Sequence, residues 1–313
     1  MSFTVNSYLK VIPPGNKNPE KPKLLTYFAD GVNRSGDNGM VIKNFHHYPS
    51  DVAILQGFVH PGSKHVPHLN LRREILESQR KAGKRTIIAD SNLFLYADPN
   101  NSKTYLRYSY DGVFPNTGEY CDSQVDPLRW EKIQKDLGIF LKPYRKPKPD
   151  SHILICAQRD GGWSMDGVKL IPWLHPLVNR LKRLTDRPIR IRLHPGDKKF
   201  NDHLKKINSF KWENVSVSSL TRPLLVDFQN CHAVINHNSS PTVAALIEGI
   251  PVFVLDPAKS QVADIAHTDI REIENTRQYD RLPTMQRLSM FHWTLDEVRN
   301  GDCWRHMRKW AKK

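Results

Sequence analysis

The stretches RIRLHPGD (190–197) and INHNSSPTVAALIEGIPVFVLD (235–256) decide the fold of this chain. The second stretch begins as an apolar strand, passes through a polar turn and continues as a short helix. Ser240 is expected to be the N-cap of that helix, Pro241 occupies its first position and Gly249 ends it. The segment PVFVL then predicts a second buried strand. Strand, helix and strand in this order predict an α/β sheet of parallel strands.

The start of this helix predicts a phosphate site. A helix that begins just after a strand presents free backbone N–H groups and the positive end of its dipole. Three hydroxyl groups, those of Ser239, Ser240 and Thr242, surround these N–H groups in the sequence. A phosphate is the anion that we expect at such a turn. The alternative interpretation is that the serines only cap the helix.

His194 occupies the equivalent position after an earlier strand. Isoleucines alternate with Arg190 and Arg192 along this strand, which breaks at Pro195-Gly196. Ligands of open α/β sheets bind outside the carboxyl ends of the strands. We therefore expect His194, the two arginines and the serine turn to form one pocket. The alternative is that His194 only fills a turn.

A third loop, RDGGWSMDG (159–167), adds further candidate ligands to the same half of the chain. Its paired glycines permit a close approach of the backbone to a ligand. Arg159 and Ser164 are candidates to bind a phosphate or a sugar.

Composition indicates a globular protein with an anionic partner. With 313 residues, 39% of them hydrophobic and 25% charged, the chain is long enough for two α/β domains. The 47 Lys and Arg residues against 32 Asp and Glu give a net charge of +15. A field of this sign attracts phosphates, nucleic acid or an anionic surface.

Several classes of protein are disfavoured by what the sequence lacks. There is no apolar run of the ~18 residues that span a bilayer, and no signal peptide, so we expect a cytoplasmic protein. The four cysteines are widely spaced, which favours buried free thiols over disulfides or a zinc site. The chain has no P-loop, no G-x-S-x-G and no H-E-x-x-H. It also has no D-x-D, so a metal site built on that motif has no support.

The N-terminal half predicts a second α/β domain. Residues 1–22 are expected to form an arm or an edge segment, and KLLTYFAD (23–30) the opening strand, followed by a glycine-rich loop. The other expected elements are strands at 52–59 and 85–90, helices at 71–83 and 127–138, and an interdomain linker at 141–150.

Carboxylates of this half are candidates for a general base. Asp90 is the first choice, because it ends a predicted strand, although aspartate is also common in ordinary turns. The other candidates are Asp30, Asp37 and Asp111. Glu119 and Asp122 stay open as well.

A tyrosine-rich stretch, YLRYSY (105–110), is open to two interpretations. Tyrosines next to Arg107 could stack on and hold a base that has been extruded from a duplex. The more common outcome for such a stretch is a hairpin whose tyrosines pack on the sheet.

The combination of R-x-H-P with S-S-x-x-x-A-x-x-x-G-x-P-V resembles the nucleotide half of GT-B glycosyltransferases, particularly the bacterial capsule polymerases with HP and serine motifs. Together with QRDGGWSM (158–165) and FHWTLDEVRNGDCW (291–304), these motifs are similar to a group of tailed-phage proteins taken to be glycosyltransferases. Some members of that wider set are thought to decorate hydroxymethylated bases in phage DNA. The resemblance covers about half of the chain well.

This resemblance implies a fold and a donor site. The fold would be α/β of the GT-B type, with two Rossmann-like domains that face a central cleft. Residues 1–145 would bind the acceptor, 146–285 the nucleotide sugar, and 286–313 would pack back on the first domain. The donor, a UDP-sugar by family habit, would need no metal. Its ligands would be Gln158, Arg159, Ser164, Arg192, His194, Asn238, Ser239, Ser240 and Thr242, with Glu248 on the ribose.

The resemblance and the charge together imply the acceptor. The main hypothesis is a monomeric enzyme that glycosylates 5-hydroxymethylcytosine in a DNA duplex, in the cytoplasm of an infected host cell if the protein is phage-encoded. One alternative is an acceptor on a surface polysaccharide. Another is a catalytically silent nucleic-acid-binding protein on the same scaffold.

Overall fold

The fold is taken from a computed structural model that describes residues 2–60, 62–94 and 105–312. The chain forms two compact units. The first contains residues 2–92, 105–136 and 286–312, and the second contains residues 137–285 together with 93–94.

The first unit is built on a six-stranded sheet. Its strands are β1 (Thr4–Tyr8), β2 (Asn38–Ile42), β3 (Val52–Gln56), β4 (Arg85–Asp90), β5 (Tyr105–Tyr110) and β11 (His292–Thr294). Their order is β11-β5-β4-β3-β1-β2. Strands β1 to β4 are parallel, whereas β5 runs antiparallel to both of its neighbours. Helices α1 (Glu20–Arg34), α2 (Pro67–Lys81), α3 (Pro127–Leu137), α9 (Leu295–Asn300) and α10 (Asp302–Met307) accompany it.

The predicted opening strand at 23–30 is wrong, because these residues lie within helix α1. The buried side chains of Leu24, Phe28 and Val32 recur every four residues, which is the helical period. An eight-residue apolar window is too short to distinguish that period from a buried strand. The true opening strand is β1, within the predicted arm, and it pairs with a strand on each side.

The second unit is a parallel sheet with the strand order of a Rossmann fold. Its strands are β6 (His152–Cys156), β7 (Ile189–Arg192), β8 (Val215–Val217), β9 (Cys231–Asn236) and β10 (Val252–Val254). The order β10-β9-β6-β7-β8 is all parallel and reverses between β6 and β9. Its helices are α4 (Leu170–Leu181), α5 (Phe200–Ser209), α6 (Leu224–Asp227) and α7 (Pro241–Ile247). Helix α8 (Leu282–Ser289) begins in the second unit and ends in the first.

The cysteines and the lengths of the helices bear on two predictions made from the sequence. All four cysteines are buried free thiols, as predicted. Among the described residues, no helix combines the length and the apolar composition that crossing a membrane requires.

The segment predicted to be a linker is bound to the C-terminal end of α7. The backbone N–H of Lys142 donates to the Ile247 carbonyl, and that of Arg145 donates to the Gly249 carbonyl, both at 2.9 Å. Buried Glu248 accepts from the side chains of Lys142 (2.7 Å) and Arg145 (2.7 Å). The segment therefore belongs to the second unit.

Replacing Gly249 with alanine is expected to lower the free energy of unfolding by more than about 2 kcal/mol. Gly249 has φ +74°, and an added Cβ would overlap the carbonyl oxygen of Pro143. Gly167→Ala is the matched control, because Gly167 has φ +79° and open space around it. Urea unfolding should show a clearly larger loss for Gly249→Ala, and equal losses would exclude the close approach as the cause.

Candidate functional site

The loops that follow β6 and β9 are joined by hydrogen bonds at the point where the strand order of the second unit reverses. Gln158 follows β6, and its side chain accepts from the backbone N–H of Asn238 (2.9 Å), which follows β9. The Gln158 amide also donates to Asn238 Oδ1 (3.0 Å) and to Ser164 Oγ (2.8 Å). Asn238 Nδ2 donates to the Ser164 carbonyl (2.9 Å). Three predicted site residues thus form one polar network, at the position where doubly wound folds bind nucleotides.

Gln158 is a positioning residue in this network. It is 6% exposed, and its amide oxygen and nitrogen are both used by the two loops. The sequence prediction placed Gln158 among the ligands of the donor, whereas its geometry favours a role in holding those loops together.

His194 presents a single open donor at the end of β7. Its Nδ1 accepts a hydrogen bond from the Gly196 N–H (2.9 Å), so the neutral ring carries its proton on Nε2. Burial, and then the charge of Arg159, lower the pKa of His194, while Asp197 partly opposes this shift. The imidazole is therefore a neutral N–H donor near pH 7.

The Arg159 guanidinium approaches the same turn. An added Cβ on Gly196 would lie 2.8 Å from Arg159 Nη2 and 3.3 Å from His194 Nδ1, so both side chains lie close to this backbone position. Arg159 is exposed and forms no ion pair within the part of the chain that the structure describes. It is a free cation beside the His194 donor.

The serine turn adds further open donors. Ser240 is the residue that precedes α7, but its hydroxyl makes no capping hydrogen bond, so the expected side-chain cap is wrong. The backbone N–H groups of Ser239 and Ser240 likewise donate to no acceptor in residues 2–60, 62–94 and 105–312. The turn is therefore available to an outside anion.

Three other predicted donor ligands are engaged elsewhere. Arg192 Nη1 forms an ion pair with fully buried Asp227 (2.6 Å) instead of turning toward His194. The Thr242 hydroxyl donates to the Ser239 carbonyl (2.8 Å). Glu248 lies at the opposite end of α7 from Ser240, bound to the linker segment. The geometry favours structural roles for these three side chains.

Sequence reasoning missed the carboxylates that brace these loops. Asp160 accepts from the backbone N–H of Leu170 at the start of α4 (2.9 Å) and from Lys199 (3.4 Å). Burial raises the pKa of Asp160, but these two bonds outweigh it and the net pKa is lowered. His203 contacts Asp197 at 2.6 Å, which anchors the His194 turn to α5. Only contacts between distant residues identify this brace, so no motif could have revealed it.

Asp256 is a second residue that the motifs did not mark. It follows β10 and accepts from Asn238 Nδ2 (3.3 Å), which extends the polar network by one strand. The adjacent His237 has a buried Nδ1 without a partner among the described residues. A polar ligand would satisfy this atom.

In the first unit, Asp90 is the candidate base that lies at the carboxyl end of a parallel strand. It ends β4, and its Oδ2 accepts from Arg107 at 2.6 Å. Its Oδ1 accepts no hydrogen bond from the described residues. The ion pair orients the carboxylate, and one oxygen stays open for a proton.

The three other candidate bases lie elsewhere in the fold. Asp30 is inside α1, since the strand predicted to end there is a helix. Asp111 follows β5 and binds Arg85 (3.0 Å) at the start of β4. Asp37 precedes β2, so like Asp111 it lies at the amino edge of the parallel strands. Asp90, at the carboxyl end of β4, is therefore favoured over these three residues as the base.

Asp37 connects β1 to the C-terminal segment. Its carboxylate accepts from the backbone N–H of Phe3 (2.8 Å), the indole N–H of Trp304 (2.8 Å) and Arg308 Nε (2.6 Å). Burial raises the pKa of Asp37, but the bond from Arg308 and the other two outweigh it, and the net pKa lies below 3.8. A lowered pKa stabilises the fold above pH 3.8, and this contribution is lost as the pH falls through the folded-state value.

Asp37→Asn is expected to lower the free energy of unfolding at pH 7 by about 1–3 kcal/mol and to reduce its loss between pH 5 and pH 3. The neutral amide removes the ion pair and the titrating group together. The exposed pair Asp302–Arg305 supplies the control, Asp302→Asn, which should cost less than about 0.5 kcal/mol. Urea unfolding followed by tryptophan fluorescence measures both, and an unchanged acid response in Asp37→Asn would contradict the assignment.

The tyrosine-rich stretch does not present a surface for a base. Tyr105, Tyr108 and Tyr110 are each 0% exposed, and Tyr108 stacks on Phe28 in the core. Of the two interpretations, the one with tyrosines packed on the sheet is confirmed, and stacking on an extruded base is wrong for these residues.

No set of three His, Cys, Asp or Glu side chains among the described residues is arranged to hold a metal ion.

Comparison with known proteins gives structural neighbours only. No family model matches the chain, and no curated protein matches its sequence. Thermosulfurimonas dismutans KpsC, beta Kdo 2,4 transferase, is similar with a TM-score of 0.55 at 10% identity, covering 93% of this chain and 92% of the other. The beta Kdo 2,7 transferase of the same organism's KpsC gives 0.53 at 12% identity, covering 100% of both chains. At these identities the likeness is one of fold, and this chain has the predicted GT-B-like fold of two Rossmann-like α/β units.

Proposed function

We propose that this protein is a glycosyltransferase that moves a sugar from a nucleotide-sugar donor to a hydroxyl group of a glycan. The observation that carries the proposal is the polar network of Gln158, Ser164 and Asn238 at the strand-order reversal of the second unit. Arg159, His194 and Ser240 carry open donors, and they follow the ends of β6, β7 and β9. Hydrogen-bond donors and a cation at this position suit a diphosphate.

Each group has a defined role in the transfer. The acceptor oxygen forms a bond to the anomeric carbon, and the bond from that carbon to the phosphate oxygen breaks. The electron pair leaves with the diphosphate, whose charge Arg159, His194 Nε2–H and the N–H groups of the serine turn stabilise. Asp90 Oδ1 takes the hydroxyl proton. The other carboxylate oxygen stays paired with Arg107.

Two observations support a glycan acceptor over DNA. The two structural neighbours are described as Kdo transferases, and neither description names DNA. The tyrosines that favoured an extruded base are buried. Hydroxymethylcytosine in duplex DNA is kept as a second candidate because the net charge of +15 favours a polyanionic acceptor of either kind.

The donor is proposed to be a nucleotide sugar of the UDP class, bound without a metal ion. The Arg159 cation and the neutral His194 N–H donor would stabilise the charge of the diphosphate where other enzymes use a metal ion. Titration of the protein with UDP in the presence of EDTA tests this assignment.

The test is mass spectrometry of reactions with a panel of UDP-, GDP-, dTDP- and CMP-activated sugars. The acceptors are acidic capsular oligosaccharides, neutral oligosaccharides, hydroxymethylcytosine duplex DNA and unmodified DNA. A sugar mass gain on an oligosaccharide supports the proposal. A gain confined to the modified DNA would transfer the assignment to the second candidate, and nucleotide binding without transfer to any acceptor would contradict both.

A further inference from the structure

The first unit has its own strand-order reversal, and a buried arginine lies there. The parallel strands run in the order β2-β1-β3-β4, so the order reverses between β1 and β3. Loops that follow these two strands contain Val11 and Phe58. Arg72 of α2 connects them, since Nε and Nη2 donate to the Val11 carbonyl (3.1 and 2.7 Å) and Nη1 donates to the Phe58 carbonyl (3.0 Å).

The hydrogen bonds of Arg72 leave part of its guanidinium unused. A guanidinium has five N–H donors, and three of those of Arg72 are used, which leaves one on each Nη. The two Nη atoms form the fork that matches a carboxylate or phosphate. The fork lies against Gly57, where an added Cβ would be 3.2 Å from Nη1.

The charge of Arg72 is also left without a partner. Its side chain is 7% exposed, and no carboxylate of the described residues forms an ion pair with it. The nearest attraction comes from Asp90, which is already bound at 2.6 Å to Arg107, itself 9% exposed. Two buried guanidinium groups therefore share one carboxylate. Backbone carbonyls satisfy N–H donors but do not neutralise a charge, and an uncompensated buried charge is costly.

The ionisation of neighbouring groups is affected by this excess charge. Burial lowers the pKa of Arg72 to about 10, although Asp90 opposes the shift. Burial and the charge of Arg72 lower the pKa of His68, which lies one turn earlier on α2. Near pH 7 Arg72 stays protonated and His68 stays neutral. Arg72 and Arg107 against Asp90 therefore leave one net positive charge at this site.

We propose that Arg72 binds an oxyanion of the acceptor, a carboxylate or a phosphate, so that the acceptor is an acidic glycan. This inference rests on the proposed function, because it assigns the acceptor to the first unit. An acidic group would use the two open N–H donors and neutralise the excess charge. A neutral sugar could accept hydrogen bonds from these N–H donors but would not neutralise the charge.

The experiment is NMR of the full-length protein with 15N-labelled arginine. The Arg72 Nε–Hε resonance is assigned by its absence from Arg72→Lys, or from Arg72→Gln if the first variant does not fold. The probes are methyl glucuronide for a carboxylate, glucose 6-phosphate for a phosphate and methyl glucoside as the neutral sugar. We expect a saturable shift with one or both acidic probes and none with methyl glucoside.

Two results would overturn the inference. One is an equal response to methyl glucoside, and the other is no response to any probe up to about 50 mM, which is weaker than a useful site. If both variants fail to fold, the Arg72 resonance is assigned in the wild type by through-bond correlation with its backbone. Arg73→Gln is the matched control, since Arg73 lies next on α2 and donates to the Lys64 carbonyl and to Asn70. This variant should keep the Arg72 shift.

A parallel titration with UDP separates this inference from the proposed function. If the wild type binds the nucleotide and Arg72 does not respond to an acidic probe, only the inference fails. If Arg72 responds but no nucleotide of the panel binds, the proposed function fails, and Arg72 then marks an anion site of another kind.

Discussion

Asp90→Asn is expected to lower kcat by about 10²- to 10⁴-fold while the dissociation constant of the nucleotide sugar stays unchanged. Asparagine keeps the shape of the side chain and removes the proton acceptor. The loss should therefore appear in turnover alone, because it affects an interaction that is made in the transition state. Initial rates with saturating donor, together with calorimetric titration of the donor, measure both quantities.

The geometry of Asp90 explains why so large an effect is expected. One oxygen is held at 2.6 Å by Arg107, and the other accepts no hydrogen bond from the described residues. A carboxylate that is oriented and only half engaged is a suitable proton acceptor. Removing its charge also leaves buried Arg107 unpaired, so the folding of the variant must be checked by its melting temperature.

Asp51→Asn is the matched control for Asp90→Asn. Asp51 belongs to the same unit and is paired with Lys84 (2.7 Å), but it precedes β3 and so lies at the opposite edge of the sheet. We expect full turnover in this variant. Full turnover in Asp90→Asn as well would contradict the assignment.

His194→Ala and Arg159→Ala are each expected to weaken nucleotide-sugar binding by about 10- to 100-fold, since a hydrogen bond to a charged group contributes about 1.5–3 kcal/mol. Both side chains approach the turn at Gly196 and have open donors. Ser240→Ala should have a smaller effect in the same direction, because a hydroxyl is a neutral donor. Calorimetric titration with UDP measures each change.

Arg183→Ala is the control for Arg159→Ala. Arg183 is an exposed arginine just beyond the C-terminal end of α4, in the same unit. Its replacement by alanine lowers the net charge by the same amount as Arg159→Ala. Its donor affinity should equal that of the wild type. Unchanged affinity in both His194→Ala and Arg159→Ala would remove the proposed phosphate site.

The pKa of His194 gives the same site a pH signature. Because burial and Arg159 lower the pKa of His194 from its ordinary value, the ring stays neutral as the pH falls from 8 to 7, and donor affinity should be flat over this range. Protonation at lower pH would add a charge beside the phosphate and tighten binding. A rise in affinity that begins above pH 7 would contradict the neutral imidazole.

The sequence predicted the second unit well because its motifs are local. Strand ends at Gln158, His194 and Asn238 are marked by polar residues that directly follow apolar runs. The ion pair of Arg192 was not predictable, because its partner Asp227 lies thirty-five residues away and belongs to no motif. Alternation along a strand shows that a side chain leaves the core, but not which neighbour it meets.

The first unit was harder to predict because its opening strand is polar. β1 contains Asn6 and Ser7, both 0% exposed, which no hydrophobic pattern would place inside a sheet. Distant carbonyls make this burial tolerable, since Asn6 donates to Tyr48 and Ser7 donates to Leu25. Such bonds depend on tertiary structure and cannot be seen in the sequence. The composition of residues 1–22 therefore did not reveal β1, which pairs with a strand on each side.

The division of the first unit along the chain has a consequence for how the protein folds on the ribosome. Its core combines Phe3 and Val5 with Trp293 and Trp304, and β11 completes its sheet. Almost all of the second unit is the segment 137–285, which lies between these parts, so it emerges while the first unit is still incomplete. At roughly 5–20 residues per second, the N-terminal strands wait roughly 10–60 seconds for Trp293 and Trp304, which complete their core. The half of the molecule that is synthesised first is thus the last to fold, and its exposed strands during that interval are natural ligands for chaperones.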